Sequence, residues 1–234
     1  MKTASIAVLL SATAVGSSQA ALVAYWNNNS NALPVSGFGY TSTAFPQAAD
    51  LGTGFMSVGG GIMSETVFNN ANGTDVYVWA ESFAGTTLNA LNDDAAGGSF
   101  SIEGGTNNGN NGAYLQFAID MSGYTGLEIS YATRGTSSGF SSQAWSWSTD
   151  GVNFTTFQTI TGTNVTTFSV KTLATVNTLD GVETAFIRVT FEGATSATGN
   201  NRLDNMQFNA TAIPAPGAIA LLGAAGLVGT RRRR

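Results

Sequence analysis

Ala144-Trp145-Ser146-Trp147-Ser148-Thr149-Asp150-Gly151-Val152-Asn153-Phe154-Thr155-Thr156-Phe157-Gln158-Thr159-Ile160 is the stretch whose reading decides the fold. Two runs that alternate apolar with small polar residues flank Asp150-Gly151. That dipeptide is turn chemistry, because glycine takes the positive φ that a tight hairpin demands. Residues 144–148 and 154–160 are therefore expected to be antiparallel neighbours. Trp145 and Trp147 stand two apart, so they share one face of their strand. Such a pair is either core or a flat platform on which a sugar ring stacks.

Outward from this hairpin the same pattern recurs. Alternation, β-branched and aromatic enrichment and Gly, Asn or Asp punctuation predict strands near residues 22–26, 75–80, 100–103, 114–119, 127–133, 166–173, 186–191 and 203–208. No window has the period of an amphipathic helix. Many short strands at this spacing predict an all-β fold, an antiparallel β-sandwich of jelly-roll type. Long Gly- and Asn-rich segments at 27–42, 84–98, 104–112 and 193–200 interrupt the strands and are too polar to bury.

The two ends read differently. Met1-Lys2, the apolar residues 6–10 and 12–15, and Ser18-Gln19-Ala20 make a signal peptide over 1–20, cleaved after Ala20. The β-sandwich ectodomain then occupies 21–212. Residues 213–234 hold Pro214-Ala215-Pro216, an almost wholly apolar run at 218–228, and Arg231, Arg232, Arg233 and Arg234. A proline-containing entry, a short hydrophobic helix and a cationic stop describe a segment that enters a bilayer and keeps its terminus in the cytoplasm. At about 1.5 Å per residue, residues 217–229 cover roughly 20 Å of a hydrocarbon core about 30 Å thick, which suits a transient anchor.

Composition excludes much chemistry. The 234 residues include no cysteine and no histidine. Ser-His-Asp and Cys-His nucleophilic sites and the common His or Cys zinc sites are thereby removed. All 14 acidic residues lie within 21–212, against Arg134, Lys171, Arg188 and Arg202, a balance of −10. Nucleic acid is not the partner of such a surface. A phosphate-binding loop, a dinucleotide fingerprint and a Gly-x-Ser-x-Gly elbow are all absent. Glu81, Glu103, Glu128 and Arg134 are groups a polysaccharide hydrolase or lyase would use, but no motif pairs them. The chain therefore reads as a non-enzyme.

The tail resembles the PEP-CTERM sorting signal of bacterial exported proteins, with Ala215 where the usual motif has glutamate. The resemblance implies recognition by an exosortase-type sorting protease, membrane attachment through the tail, and residence in the cell envelope, at the outer surface or in the extracellular matrix. Over roughly 131–208 the chain is similar, more loosely, to surface and sugar-binding jelly-roll domains that precede such tails. Arg134-Gly135-Thr136, Ile187-Arg188-Val189 and Asn201-Arg202-Leu203-Asp204-Asn205 carry this second likeness. It implies a structural Ca²⁺ held at Asp204 and Asn205, the alternative being a solvent-facing or arginine-paired Asp204. If the sandwich binds extracellular polysaccharide, loop-rim aromatics such as Tyr40, Phe140 and Trp145 are the expected contacts.

Overall fold

A computed structural model describes residues 20–29, 38–41, 44–69 and 74–214. Among these, fifteen strands form two sheets in which every pairing is antiparallel. The first sheet contains β1 (Ala20–Trp26), β2 (Phe38–Thr41), β4 (Leu51–Gly52), β6 (Thr66–Asn69), β7 (Thr74–Ala84), β8 (Gly98–Glu103), β10 (Tyr124–Gly135), β13 (Ser169–Thr172) and β15 (Asn200–Ala212). The second contains β3 (Gln47–Ala48), β5 (Gly54–Gly59), β9 (Tyr114–Ile119), β11 (Ser142–Ser148), β12 (Thr155–Thr161) and β14 (Ala185–Glu192). From β8 onward the chain changes sheet from β8 to β9, β9 to β10, β10 to β11, β12 to β13, β13 to β14 and β14 to β15. This is the winding of a jelly-roll sandwich.

Alternation builds the core. Leu127, Ile129 and Tyr131 of β10 are buried between the sheets, as are Leu115, Phe117 and Ile119 of β9 and Ile187, Val189 and Phe191 of β14. Phe117 lies 5.1 Å from Trp26 and 4.9 Å from Phe208, ring centre to ring centre, joining the two sheets at their middle. β5 escapes sequence reading because glycines bound it, yet it lies against β9 so closely that a Cβ on Gly54 would meet Ala118 O at 2.9 Å.

The expected β11 to β12 pairing is present, with Trp147 opposite Thr155. The connection is longer than a tight turn, and the Asp150 carboxylate organises it. Asp150 Oδ1 accepts from Ser148 Oγ at 2.7 Å and from the Val152 and Asn153 amides at 2.8 Å each, and Oδ2 accepts from Asn153 Nδ2. Gly151 takes φ 72°. These donors hold the Asp150 carboxyl well below its ordinary value of 3.8, the Asn153 amide contributing most. An NMR titration should therefore find Asp150 still ionised below pH 3.8; an ordinary midpoint would mean the loop does not close on it.

Trp145 and Phe140 are core, which corrects their assignment as sugar contacts. Both have 0% of their surface exposed. Trp145 packs 4.9 Å from Tyr131 and stacks on Phe117, and Phe140 packs 5.5 Å from Phe191. The indole Nε1 donates to Tyr131 Oη at 3.1 Å, Tyr131 donates to Gln143 Oε1, and Gln143 Nε2 donates to Thr133 Oγ1. Every polar atom Trp145 brings inside is thus satisfied. Tyr40 lies on β2, and its side chain is outside the described residues.

Of the expected sorting segment, Pro214 is exposed, while Ala215, Pro216 and Arg231, Arg232, Arg233 and Arg234 lie outside the described residues, as do residues 1–19 of the signal peptide expected over 1–20. Among the described residues no helix is long and apolar enough to cross a membrane.

Candidate functional site

The outer face of the first sheet carries the polar chemistry. Alternation along β10 sends Glu128, Ser130 and Arg134 to that face. Cross-strand register then sets their neighbours: Glu128 opposite Asn209, Ser130 opposite Gln207 and Arg134 opposite Arg202, with Arg202 opposite Ser101 and Ser101 opposite Glu81.

The loop 85–97 is tied down to the sheet by a bulge in β15. Between the pairs Ala132–Asp204 and Ser130–Gln207, β15 has one residue more than β10, and Asn205 takes φ 48° to absorb it. The Asp204 carboxylate accepts the Thr86 amide at 2.7 Å through Oδ2 and the Asn205 amide at 2.9 Å through Oδ1. Asn205 Nδ2 donates to the carbonyls of Thr86 and Leu88, and Asn205 Oδ1 accepts from Tyr25 Oη at 2.7 Å. From the loop, Asn89 Nδ2 donates to Asn205 O, and Asn89 O accepts from Gln207 Nε2.

Asp204 is therefore neither solvent-facing nor paired with an arginine. It is 0% exposed, and burial pushes its carboxyl up to about 8 against the opposing pull of the two amides. The assignment of Asp204 and Asn205 as Ca²⁺ ligands is corrected by the same geometry. Both carboxylate oxygens and the Asn205 amide oxygen already accept N–H or O–H donors, whereas a calcium ion asks for six to eight oxygens turned toward it. Their observed work is to anchor a loop.

Two polar regions flank that loop. On one side a recess of about 150 Å³ is lined by Asn89, Glu128, Ile129, Ser130, Thr172 and Asn209. Ser130 Oγ donates to Asn89 Oδ1 at 3.2 Å, fixing one wall, while Glu128 and Thr172 are exposed. On the other side stand Arg134 and Arg202, like charges directly opposite each other. Each lies over a ring, Arg134 at 5.7 Å from Phe168 and Arg202 at 4.5 Å from Phe83, and Arg202 Nη1 donates to Ala84 O. The negative ring faces attract these cations and offset part of the repulsion between them. Arg202 thereby stretches across β8 toward the end of β7.

The residues the sequence offered for catalysis thus separate. Glu128 belongs to the recess. Glu81, Glu103 and Arg134 sit on the other side of the loop, with Glu81 and Glu103 on adjacent strands. Glu128 and Ser130 were legible from the alternation of β10, but Asn89 comes from a loop and Asn209 from β15, and no sequence signal joins them.

No family model matches the chain, and no curated protein matches it. Among solved structures it is similar to a family 61 carbohydrate-binding module in complex with β-1,4-galactotriose, at 11% identity over 65% of this chain and 86% of that one, TM-score 0.38. It is also similar to the K2 cleaved adhesin domain of Lys-gingipain, at 14% identity over 67% and 99%, TM-score 0.39. A third is a family 36 carbohydrate-binding module in complex with calcium and xylotriose, at 17% identity over 49% and 83%, TM-score 0.32. At these scores, what this chain binds is a matter for its own geometry.

Proposed function

We propose that this chain is a non-catalytic, exported cell-surface or matrix protein whose β-sandwich binds extracellular polysaccharide through the outer face of its first sheet. The observation that carries the reading is the recess beside the 85–97 loop. Its wall mixes a carboxylate, two amides and two hydroxyls, a set that both donates to and accepts from sugar hydroxyls. It is small beside the roughly 300–1,000 Å³ clefts that enclose whole ligands, so it suits one sugar unit of a chain passing over the sheet. Loop hydrogen bonds preorganise it, which reduces the entropy lost on binding.

Polysaccharide retention and glycan-array binding of the ectodomain test this reading. Glu128→Ala and Asn209→Ala should each weaken the affinity about tenfold, the equivalent of about 1.4 kcal/mol, without moving the unfolding midpoint. Folded protein retained by no polysaccharide, or variants that bind undiminished, would overturn it.

The tail supports the second half of the proposal, sorting by an exosortase-type protease with transient attachment to the membrane. Truncation before Pro214 should release the ectodomain into the medium. A truncated chain that stays cell-bound would show that the tail is not the anchor.

A further inference from the structure

We propose that Glu81, Glu103, Ser101 and Asn200 form a site for a hard divalent cation of the calcium class on the outer face of the first sheet. Register places these four together. Ser101 of β8 stands directly opposite Glu81 of β7, and Glu103, two residues along β8, stands directly opposite Asn200 of β15. Directly opposed residues share a face, and Ser101 and Glu103 share theirs through the two-residue period of the strand. Glu81 and Glu103 are consequently diagonal neighbours.

Two independent features of this cluster call for a cation. The first concerns the carboxylates. Glu103 is only 9% exposed, and among the described residues neither it nor Glu81 accepts a hydrogen bond through its carboxylate. Burial, and then the charge of Glu81, push the Glu103 carboxyl up to about 7, and burial raises Glu81 as well. Two carboxylates gathered with no donor are unfavourable unless positive charge joins them.

The second feature concerns their neutral neighbours. Ser101 is 0% and Asn200 6% exposed, yet Ser101 Oγ and Asn200 Oδ1 are buried without a hydrogen-bond partner. Buried acceptors left unpaired are uncommon and costly. A proton shared by the carboxylates would relieve the first feature and leave the second. A cation takes up all four oxygen groups at once.

The donor set selects the metal class. It is all oxygen, with no sulfur or nitrogen ligand, which favours calcium over the softer transition metals. Two carboxylates, an amide oxygen and a hydroxyl leave the rest of a six- to eight-oxygen shell to water, a flexible arrangement that calcium accepts and magnesium, with its strict octahedron, does not favour. Arg202 does not occupy the site, because its guanidinium is drawn over Phe83 and hydrogen-bonded to Ala84 O. The contrast with Asp204 is direct: there the carboxylate is filled by amides, and here nothing fills it.

Cation binding at this cluster is separate from polysaccharide binding and is measured on residues 21–234 without any glycan. Terbium(III), a luminescent substitute for calcium, should be sensitised by Trp79, two residues from Glu81 on the same strand. Calcium should compete the signal away, and calorimetry with Ca²⁺ alone should show one site. Glu81→Gln/Glu103→Gln should weaken binding at least a hundredfold. Glu81→Gln alone, at a half-buried position that folding tolerates, should weaken it at least tenfold. Asp204→Asn should leave it unchanged. No heat and no sensitised terbium with folded protein in millimolar Ca²⁺ would overturn the proposal. Undiminished binding by the Glu81→Gln variant would overturn it too, as would loss of binding on Asp204→Asn alone.

Discussion

Trp145→Ala should cost about 3–5 kcal/mol of folding stability, the range for emptying a large aromatic site in a packed interior. The loss has two sources. The cavity would open between Phe117 and Tyr131, where the indole now stacks, and Tyr131 Oη would lose the donor at 3.1 Å that joins it to Gln143 and Thr133. Trp145→Phe keeps most of the volume and loses only the donor, so it should cost markedly less. Urea denaturation midpoints of the three proteins measure the difference. Should Trp145→Ala abolish polysaccharide binding while its midpoint stays put, Trp145 would be a ligand contact after all, and its burial would be wrong.

The second large effect is the pH dependence imposed by buried carboxyls. Asp204 is raised from an ordinary 3.8 to about 8, and Glu103 to about 7, with Glu81 also raised. Between the unfolded and folded values the folded chain holds protons that the unfolded chain has released. Stability contributed by these groups is therefore fully present below about pH 4 and is lost as pH rises through about 7 to 8, an effect of a few kcal/mol in order of magnitude. Measured in chelator, so that no cation holds Glu81 and Glu103 ionised, the unfolding midpoint should fall from pH 5 to pH 9. Asp204→Asn should flatten the upper part of that fall. A variant with the wild-type slope between pH 6 and 9 would show that Asp204 is not the titrating group. Asp204→Ala tests the anchor itself: it strands the Thr86 and Asn205 amides, at about 1–3 kcal/mol each, and should expose the 85–97 loop to proteolysis.

These two sites show where sequence reading succeeds and where it stops. That Trp145 and Trp147 share a face follows from a period of two, and the hairpin from Asp150-Gly151. Whether that face is core or platform does not, because it depends on the sheet that β11 packs against. Asp204 is singled out only through the likeness of residues 131–208 to sugar-binding jelly-roll domains, because its strand mixes Asn, Arg and Gln with apolar residues and does not set it apart. Its role was not recognisable, because its partner Thr86 lies 118 residues away and is brought to it by a bulge at Asn205.

What the sequence by itself determined is local or compositional. Alternation and turn residues specify strands, sparse charge and abundant Asn, Thr, Ser and Gly specify polar loops, and the absence of histidine and cysteine removes whole classes of chemistry. Beyond the β11–β12 hairpin, tertiary structure alone decided which strands are neighbours. Glu81 and Glu103 are two of 14 acids until β7 pairs with β8 in one register and β8 with β15 in another; then they, Ser101 and Asn200 share a face. The physical reason is that the side-chain period is set within each strand, whereas pairing is chosen by burial of the whole core, which no single strand encodes.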